Sequence, residues 1–410
     1  MKNGYLSQYF DGVAAKYLSQ VEANILVSHQ HEFNGVDLLK KLLGAPAQKV
    51  KYNAKFMYFT DYDDEPIIED GELTWYDARQ KAREERNVQR SEYRLYFSDN
   101  TVIQSANAGD ILIIAKQRNK PELLLIIAEK ETTIASQLLW LFGFSSLEHP
   151  GFSIREELET EQDRIAFASR IILENIGIEV EITEDNYLDD MLNKFNGTFP
   201  STREFSAYVR STIQDINYEK DYDNVLMSCY EKEEILYRTL EKHFVGEKLK
   251  TGFHDVDDFF DYSKSAQNRR KSRAGLALEN HMEFLFQKNN IRYDRTPVTE
   301  NRSKPDFLFP GIAEYRDQDF CNTNLTMLGV KSTCKDRWRQ VLTEAKRIEK
   351  KHILTLESAI SINQTNEMQQ CLIQLVVPQK NIGTFKPEQQ KWLFTVTNFI
   401  KLVSSRQNKT

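Results

Sequence analysis

Between residues 56 and 128 the apolar residues fall in short β-type runs: Phe56-Met57-Tyr58-Phe59, Tyr93-Arg94-Leu95-Tyr96-Phe97, Ile111 to Ala115 and Leu123 to Ala128. Turn signals such as Ser98-Asp99-Asn100 and Gly109-Asp110 separate them, which predicts strands. The charged stretch RQKAREERNVQR at 79–90 reads as an exposed segment. From about 145 to 200 the chain turns acidic and helix-like, and Gly197-Thr198-Phe199-Pro200-Ser201-Thr202 marks a boundary. From Arg203 to about Phe260 the apolar positions, among them Leu226, Ile235, Leu236, Leu240 and Phe244, recur at helical spacing. The basic segment Asn268-Arg269-Arg270-Lys271-Ser272-Arg273-Ala274-Gly275 leads into Leu276, Leu278, Met282, Leu285 and Phe286, an amphipathic helix with a basic N-terminal end. Two short strands follow, Asp306-Phe307-Leu308-Phe309 after Pro305, and Leu325, Met327, Leu328 and Val330 running into Lys331. An amphipathic helix from about Arg337 then carries Glu344. Three segments are expected: a mainly-β domain over 1–149, an acidic helical connector over 150–196, and an α/β domain with a central mixed sheet flanked by helices over 197–410.

Composition adds the class. At 410 residues, with 40% hydrophobic and 28% charged residues and a mean hydropathy of −0.57, the chain reads as a soluble protein of two or three domains. No apolar run approaches the roughly 20 residues of a membrane span, and MKNGYLSQYF lacks a signal-peptide core. Cys229, Cys321, Cys334 and Cys371 show no CxxC spacing, so a reduced, cytoplasmic setting is expected and a zinc site is not. The net charge of −7 is unevenly spread. Residues 261–410 hold 25 Lys/Arg against 15 Asp/Glu, a net of +10, whereas residues 151–260 hold 12 against 25, a net of −13. A basic C-terminal part suits a footprint for phosphates.

The chemistry lies in that basic part. Asp306 starts one strand, Lys331 ends the next 25 residues later, and Glu344 follows after thirteen more. Carboxylates that hold magnesium and a lysine beside the attacking water are what phosphodiester hydrolysis requires. The familiar acid-x-lysine spacing would put a carboxylate two residues before Lys331, where this chain has Gly329, so that acid must come from elsewhere, and Glu344 is well placed if the helix from about Arg337 folds back across the strand. Glu279 is a further metal ligand or simply a helix acid. Arg269, Arg270, Lys271 and Arg273 would attract the DNA backbone from a helix N-terminus. His281 and His352 read as packing or surface residues, and neither a nucleotide-binding Gly-Lys-Ser/Thr loop nor a methyltransferase motif occurs.

NRRKSRAG with the following LE, KPDFLFP, EYRDQDF, NLTMLGVKSTCKDRWRQVLTEAKRI and the closing QLVVP together resemble the catalytic domain of EcoRII-like type II restriction endonucleases. These form a branch of the PD-(D/E)xK nucleases that cuts CC/GG-containing sites. The likeness runs from about Phe199 to the C-terminus. It implies Asp306, Lys331 and Glu344 as catalytic residues, with Asp306, Glu344 and Glu279 holding Mg2+. It also implies that Lys335, Asp336 and Arg337 read C:G pairs in the major groove of double-stranded DNA, consistent with Lys and Arg donating to guanine and an acid accepting from cytosine. The run EYRLYFSDNTVIQSANAGDILIIAKQ resembles the DNA-binding pseudobarrel of that family, which implies an N-terminal effector domain. Double-strand cleavage of unmethylated CCNGG- or CCWGG-like sites leaving 5′-phosphates, a homodimer and a cognate DNA methyltransferase as genetic partner follow from the same resemblance. The region around Ser228-Cys229-Tyr230-Glu231 lacks the arginine cluster the family would place there. A nicking or modification-dependent nuclease and a non-catalytic DNA-binding regulator remain the alternatives.

Overall fold

The computed structural model describes residues 4–24, 28, 31–33, 36–63, 65–86, 90–118, 120, 122–147, 151–180, 187–213, 220–334 and 337–408. The chain divides into two compact units, 1–180 with 359–364, and 181–358 with 365–410.

The first unit is built on eight strands: β1 (Phe10–Tyr17), β2 (Glu32–Phe33), β3 (Val50–Phe59), β4 (Ile67–Asp77), β5 (Tyr93–Phe97), β6 (Ile111–Gln117), β7 (Glu122–Ala128) and β8 (Ser153–Arg155). They form one sheet in the order β2-β5-β4-β3-β7-β6-β1-β8, antiparallel except for the parallel β3–β7 pair. The expected runs at 56–59, 93–97, 111–115 and 123–128 lie in β3, β5, β6 and β7. Alternation along the strands separates two cores. Ala14, Phe56, Trp75, Leu95, Ile114 and Leu125 face one cluster. Val13, Met57, Ile113 and Ile126 face the other, which is covered by α1 (Thr133–Leu141) and α2 (Phe167–Asn175). Phe33 of β2 and Ile154 of β8, from opposite edges of the sheet, belong to the same cluster, so the sheet curls around it as a half-barrel.

The expected acidic connector does not stand apart. Leu158, Ile172, Leu173, Ile176 and Ile178 are core residues of the first unit. Met191, in α3 (Leu188–Lys194), is buried in the second unit with Phe205, Tyr208 and Leu236. Among the described residues of this stretch Glu156, Glu157, Glu161, Glu174, Glu179, Asp189 and Asp190 are exposed, whereas Asp163 is buried and paired with Arg155.

The second unit begins with α3, α4 (Thr202–Ser211), α5 (Tyr222–Thr251) and α6 (Val256–Lys288). A mixed five-stranded sheet follows: β9 (Asp294–Arg295), β10 (Phe307–Phe309), β11 (Thr326–Lys331), β12 (Lys351–Thr355) and β13 (Ile373–Val376), in the order β13-β12-β11-β10-β9. β9, β10 and β11 pair antiparallel, whereas β11, β12 and β13 run parallel. Between β11 and β12 lies the short α7 (Arg337–Val341), and α8 (Val396–Gln407) closes the chain. Aromatic rings fasten α6 and α8 to the sheet: Phe286 lies 5.2 Å from Phe307 and 5.0 Å from Phe309, and Phe399 lies 5.8 Å from Phe309. Edge-to-face pairs of this kind add to the burial of the rings themselves.

His352 sits within this core, its ring 5.3 Å from Phe399, and burial holds its imidazole far down, at about 3. The unfolded chain takes up a proton near the ordinary histidine value of about 6.5, where the folded chain does not. Between these two values the unfolded state binds more protons, so stability present at neutral pH is lost as the pH falls, by at most about 1.4 kcal/mol per pH unit. In urea titrations from pH 7 to 5, stability should change less favourably with falling pH for the parent than for His352→Phe, the difference between the two slopes being the contribution of His352. Parallel slopes would remove His352 as the cause.

Candidate active site

The antiparallel register of β10 and β11 sets Phe307 opposite Leu328, which brings Asp306 to the Gly329–Val330 step. The Val330 N–H donates to Asp306 Oδ2 at 2.6 Å, and Lys331 Nζ donates to the same oxygen at 2.9 Å. Both side chains are largely shielded, with 14% of Asp306 and 19% of Lys331 exposed. A charge-assisted pair in such a setting is stronger than one in open water.

Gly329 occupies the place of the missing strand acid, and the structure gives a steric reason for it. A Cβ there would lie 3.0 Å from Val341 Cγ2 of α7 and 3.8 Å from Ile353 Cγ1 of β12. A side chain at this position would press on Val341 and require it to give way. Glu344 was expected on the helix itself, but α7 ends at Val341 and Glu344 lies in the turn beyond it. The N–H groups of Leu342, Thr343 and Glu344 donate to carbonyls three residues back, which tightens the helix end. Ala345, buried at φ +45, then turns the chain. Glu344 Oε2 is buried without a hydrogen-bond partner among the described residues. Burial pushes the Glu344 carboxyl up to about 7; the Lys331 charge opposes this shift and the Asp306 charge adds to it.

Glu279 of α6 also feels Asp306, and burial together with that charge raises its carboxyl above the ordinary range. Its oxygen is held by Arg295 of β9, whose Nη2 and Nε donate to Glu279 Oε2 at 2.8 and 3.2 Å. Arg295 also binds Glu283 at 2.8 Å. Among the described residues no three His, Cys, Asp or Glu gather into a ready-made metal cluster. The donor set nevertheless fits a hard divalent cation. Asp306 and Glu344 are oxygen ligands of the right kind, and a buried carboxylate oxygen with no hydrogen bond is costly unless a cation or a proton meets it.

Lys335 and Asp336 lie outside the described residues. Arg337 is exposed as the first residue of α7, and its N–H donates to Cys334 O at 2.8 Å. Both flanks are anchored: the Cys334 N–H donates to the Glu357 carboxylate, and Trp338 is fully buried. The basic segment differs from expectation. It lies in the middle of α6, whose N-terminus is at Val256, so its backbone N–H groups serve the helix rather than a phosphate. Arg273 is buried, paired with Glu234 and 4.3 Å over the Tyr237 ring. Arg270 pairs with Glu241 at 2.6 Å, Arg269 stacks 4.2 Å over Phe199, and Lys271 is exposed.

Sequence reading missed Arg347, which fastens the Glu344 turn. Its Nη1 donates to the carbonyls of Tyr315 and Asp317, and its Nη2 to Phe320 O and Asn322 Oδ1. Its N–H donates to Tyr315 Oη at 3.2 Å, and the Tyr315 hydroxyl donates to Glu300. The EYRDQDF stretch is the other half of this clamp; no spacing rule links it to Arg347.

Residues 237–400 match the protein-family model described as EcoRII C terminal. Over 203 residues the chain is 39% identical to the type II restriction enzyme EcoRII of Escherichia coli, a match covering 49% of this chain and 50% of that enzyme. The chain thus spans about half the length of the curated relative it matches. Two solved structures are also similar. One is metal-depleted Ecl18kI in complex with uncleaved, modified DNA (17% identity, 55% of this chain and 86% of that one, TM-score 0.45). The other is a complex of restriction endonuclease PspGI with substrate DNA (16% identity, 58% and 96%, TM-score 0.41).

Gly329→Asp, which restores the acid-x-lysine spacing, should cost about 1–3 kcal/mol of stability through overpacking against Val341. Urea denaturation at pH 7.5 measures it, and an unchanged midpoint would show that the space under α7 is larger than the distances imply.

Proposed function

From the EcoRII C-terminal match and the site built on Asp306, Lys331 and Glu344, we propose that this chain is a type II site-specific deoxyribonuclease. It makes double-strand cuts in unmethylated, CC/GG-containing DNA in the cytoplasm, in a Mg2+-dependent reaction. The observation that carries this reading is the grouping of the three residues: Lys331 bonded to Asp306, and both charges acting on a half-buried Glu344 whose Oε2 is buried without a hydrogen-bond partner among the described residues.

Asp306 and Glu344 would hold the cation, which when bound neutralises the charge that develops on the phosphoryl oxygens. Lys331 brings a positive charge to the same point and, with one Nζ proton engaged by Asp306, has others to orient a water or a phosphate oxygen. Water attacks phosphorus in line, the new P–O bond forms as the P–O3′ bond breaks, and the 3′ oxygen leaves with a proton as a hydroxyl. The 5′-phosphate stays on the other fragment. The Val330 N–H holds the Asp306 carboxylate in place throughout.

Lys335, Asp336 and Arg337 are assigned to base reading. Exposed Arg337, flanked by the anchored Cys334 and Trp338, is presented from a fixed backbone. Cleavage of both strands of a near-palindromic site calls for two active sites, hence a homodimer. A cognate DNA methyltransferase would protect the host's own sites. The curled eight-stranded unit is assigned to binding a second, effector stretch of DNA.

Digestion of unmethylated plasmid with Mg2+, followed by sequencing of the ends, tests the reading. The parent should yield 5′-phosphate ends at one recurrent sequence. Asp306→Ala, Lys331→Ala and Glu344→Ala should each lower cleavage at least about a thousandfold while binding of the duplex persists. Undiminished cutting by Lys331→Ala would remove the lysine from the mechanism.

A further inference from the structure

α5 and α6 pair as an antiparallel hairpin whose outer half has no core. The last buried residue of α5 is Glu241 and the first of α6 is Arg273. None of residues 242–272 is buried, although α5 and α6 both continue through this stretch. Two short helical segments without a buried face are marginal in water, because packing supplies most helix stability. The hairpin is nevertheless rich in apolar side chains. Leu249, Val256, Phe259 and Phe260 are 60%, 67%, 44% and 53% exposed.

Its charges are divided along α6. Asp255, Asp257, Asp258 and Asp261 occupy the outer end, and Lys264, Arg269, Arg270 and Lys271 follow toward the body of the unit. Asp258 is paired with Lys248 at 3.3 Å, and Arg270 is paired with Glu241. Asp257, Asp261, Lys264 and Lys271 make no ion pair among the described residues. Their spacing of four, three and seven residues sets them on one stripe of the helix, with Phe260 beside it.

We propose that this stripe is an interface between two copies of the chain. The two α6 helices pack antiparallel about a two-fold axis between Tyr262 and Ser263, which sets Asp261 of each copy opposite Lys264 of the other and each acidic outer half against the other's basic inner half. An isologous contact requires a surface complementary to itself, and a stripe acidic at one end and basic at the other meets that requirement. A DNA duplex does not fit as well, since the outer half of the stripe would set the carboxylates of Asp257 and Asp261 against phosphates. Asp257 to Lys271 spans about 21 Å of helix, enough for several turns of contact that also cover Phe260 and Val256. The inference rests on the proposed nuclease reading only for its expectation of a two-fold enzyme.

Sedimentation velocity of the full chain without DNA, across a concentration series, tests it with two charge-reversed proteins. One carries Asp257→Lys and Asp261→Lys, the other Lys264→Glu and Lys271→Glu. Each alone, with one sign of charge along the stripe, should self-associate at least about tenfold more weakly than the parent. An equimolar mixture should recover the parent's association. Phe260→Ser, which leaves the charges intact, should weaken association as well, and circular dichroism checks that each variant is folded. A parent that stays monomeric, reversed variants that dimerise like the parent, or a mixture that fails to recover would each overturn the interface. A monomer that still cuts DNA would defeat this interface and leave the nuclease reading standing. A dimer that responds to charge reversal as described but cuts no DNA would uphold the interface and defeat the nuclease reading.

Discussion

One carboxylate oxygen, Asp306 Oδ2, accepts hydrogen bonds from both the Val330 N–H and Lys331 Nζ. This pair of hydrogen bonds to a single atom ties the start of β10 to the end of β11, where the regular ladder of so short a strand has run out. It leaves the second oxygen of Asp306 free of those two bonds and holds the lysine at the sheet's end. A partly buried pair of this kind is not a source of net stability, because desolvation consumes most of the Coulomb gain. Its stability comes from behind, where Phe286, Phe307, Phe309 and Phe399 pack α6 and α8 against one face of the sheet. The aromatic core carries the energy, and the ion pair carries the geometry.

The second acid of the site follows from a packing decision. With Val341 close against Gly329, a carboxylate on that face of β11 would crowd α7. The acid has to arrive from the far side of α7, and it does so because the helix stops early and Ala345 takes a left-handed conformation. The Arg347–Tyr315–Glu300 clamp then fixes the turn from outside. Glu344 is half-buried within the field of Asp306, and its Oε2 has no hydrogen-bond partner among the described residues, which raises its proton affinity and, by the same physics, its appetite for a cation.

Much of this was legible in the sequence, for identifiable reasons. β10 and β11 are short, continuous apolar runs beside a proline and a lysine, and the strands β3, β5, β6 and β7 carry strong β-type composition. β4 was missed because Ile67–Asp77 is mostly polar, with only Leu73, Trp75 and Asp77 fully buried. β1 was missed because its small residues, Gly12, Ala14 and Ala15, carry weak strand propensity. The helix expected to bear Glu344 stopped short because of a backbone conformation at Ala345 that an alanine does not advertise. The basic segment was read as a helix start because nothing local reveals that Asp255 caps the same helix well before it. Arg273 looked like a surface cation, but tertiary contacts with Glu234 and Tyr237 draw it inside.

The account stands on Glu344 replacing the absent strand acid as the partner of Asp306. Calorimetric titration of Mn2+ into the full chain at pH 7.5, repeated with Glu344→Ala, addresses it most directly. Saturable binding by the parent that is weakened about a hundredfold or more in the variant is the result expected from loss of a charged ligand. A Glu344→Ala protein that binds Mn2+ as tightly as the parent would contradict the account, because the cation would then be held by other groups.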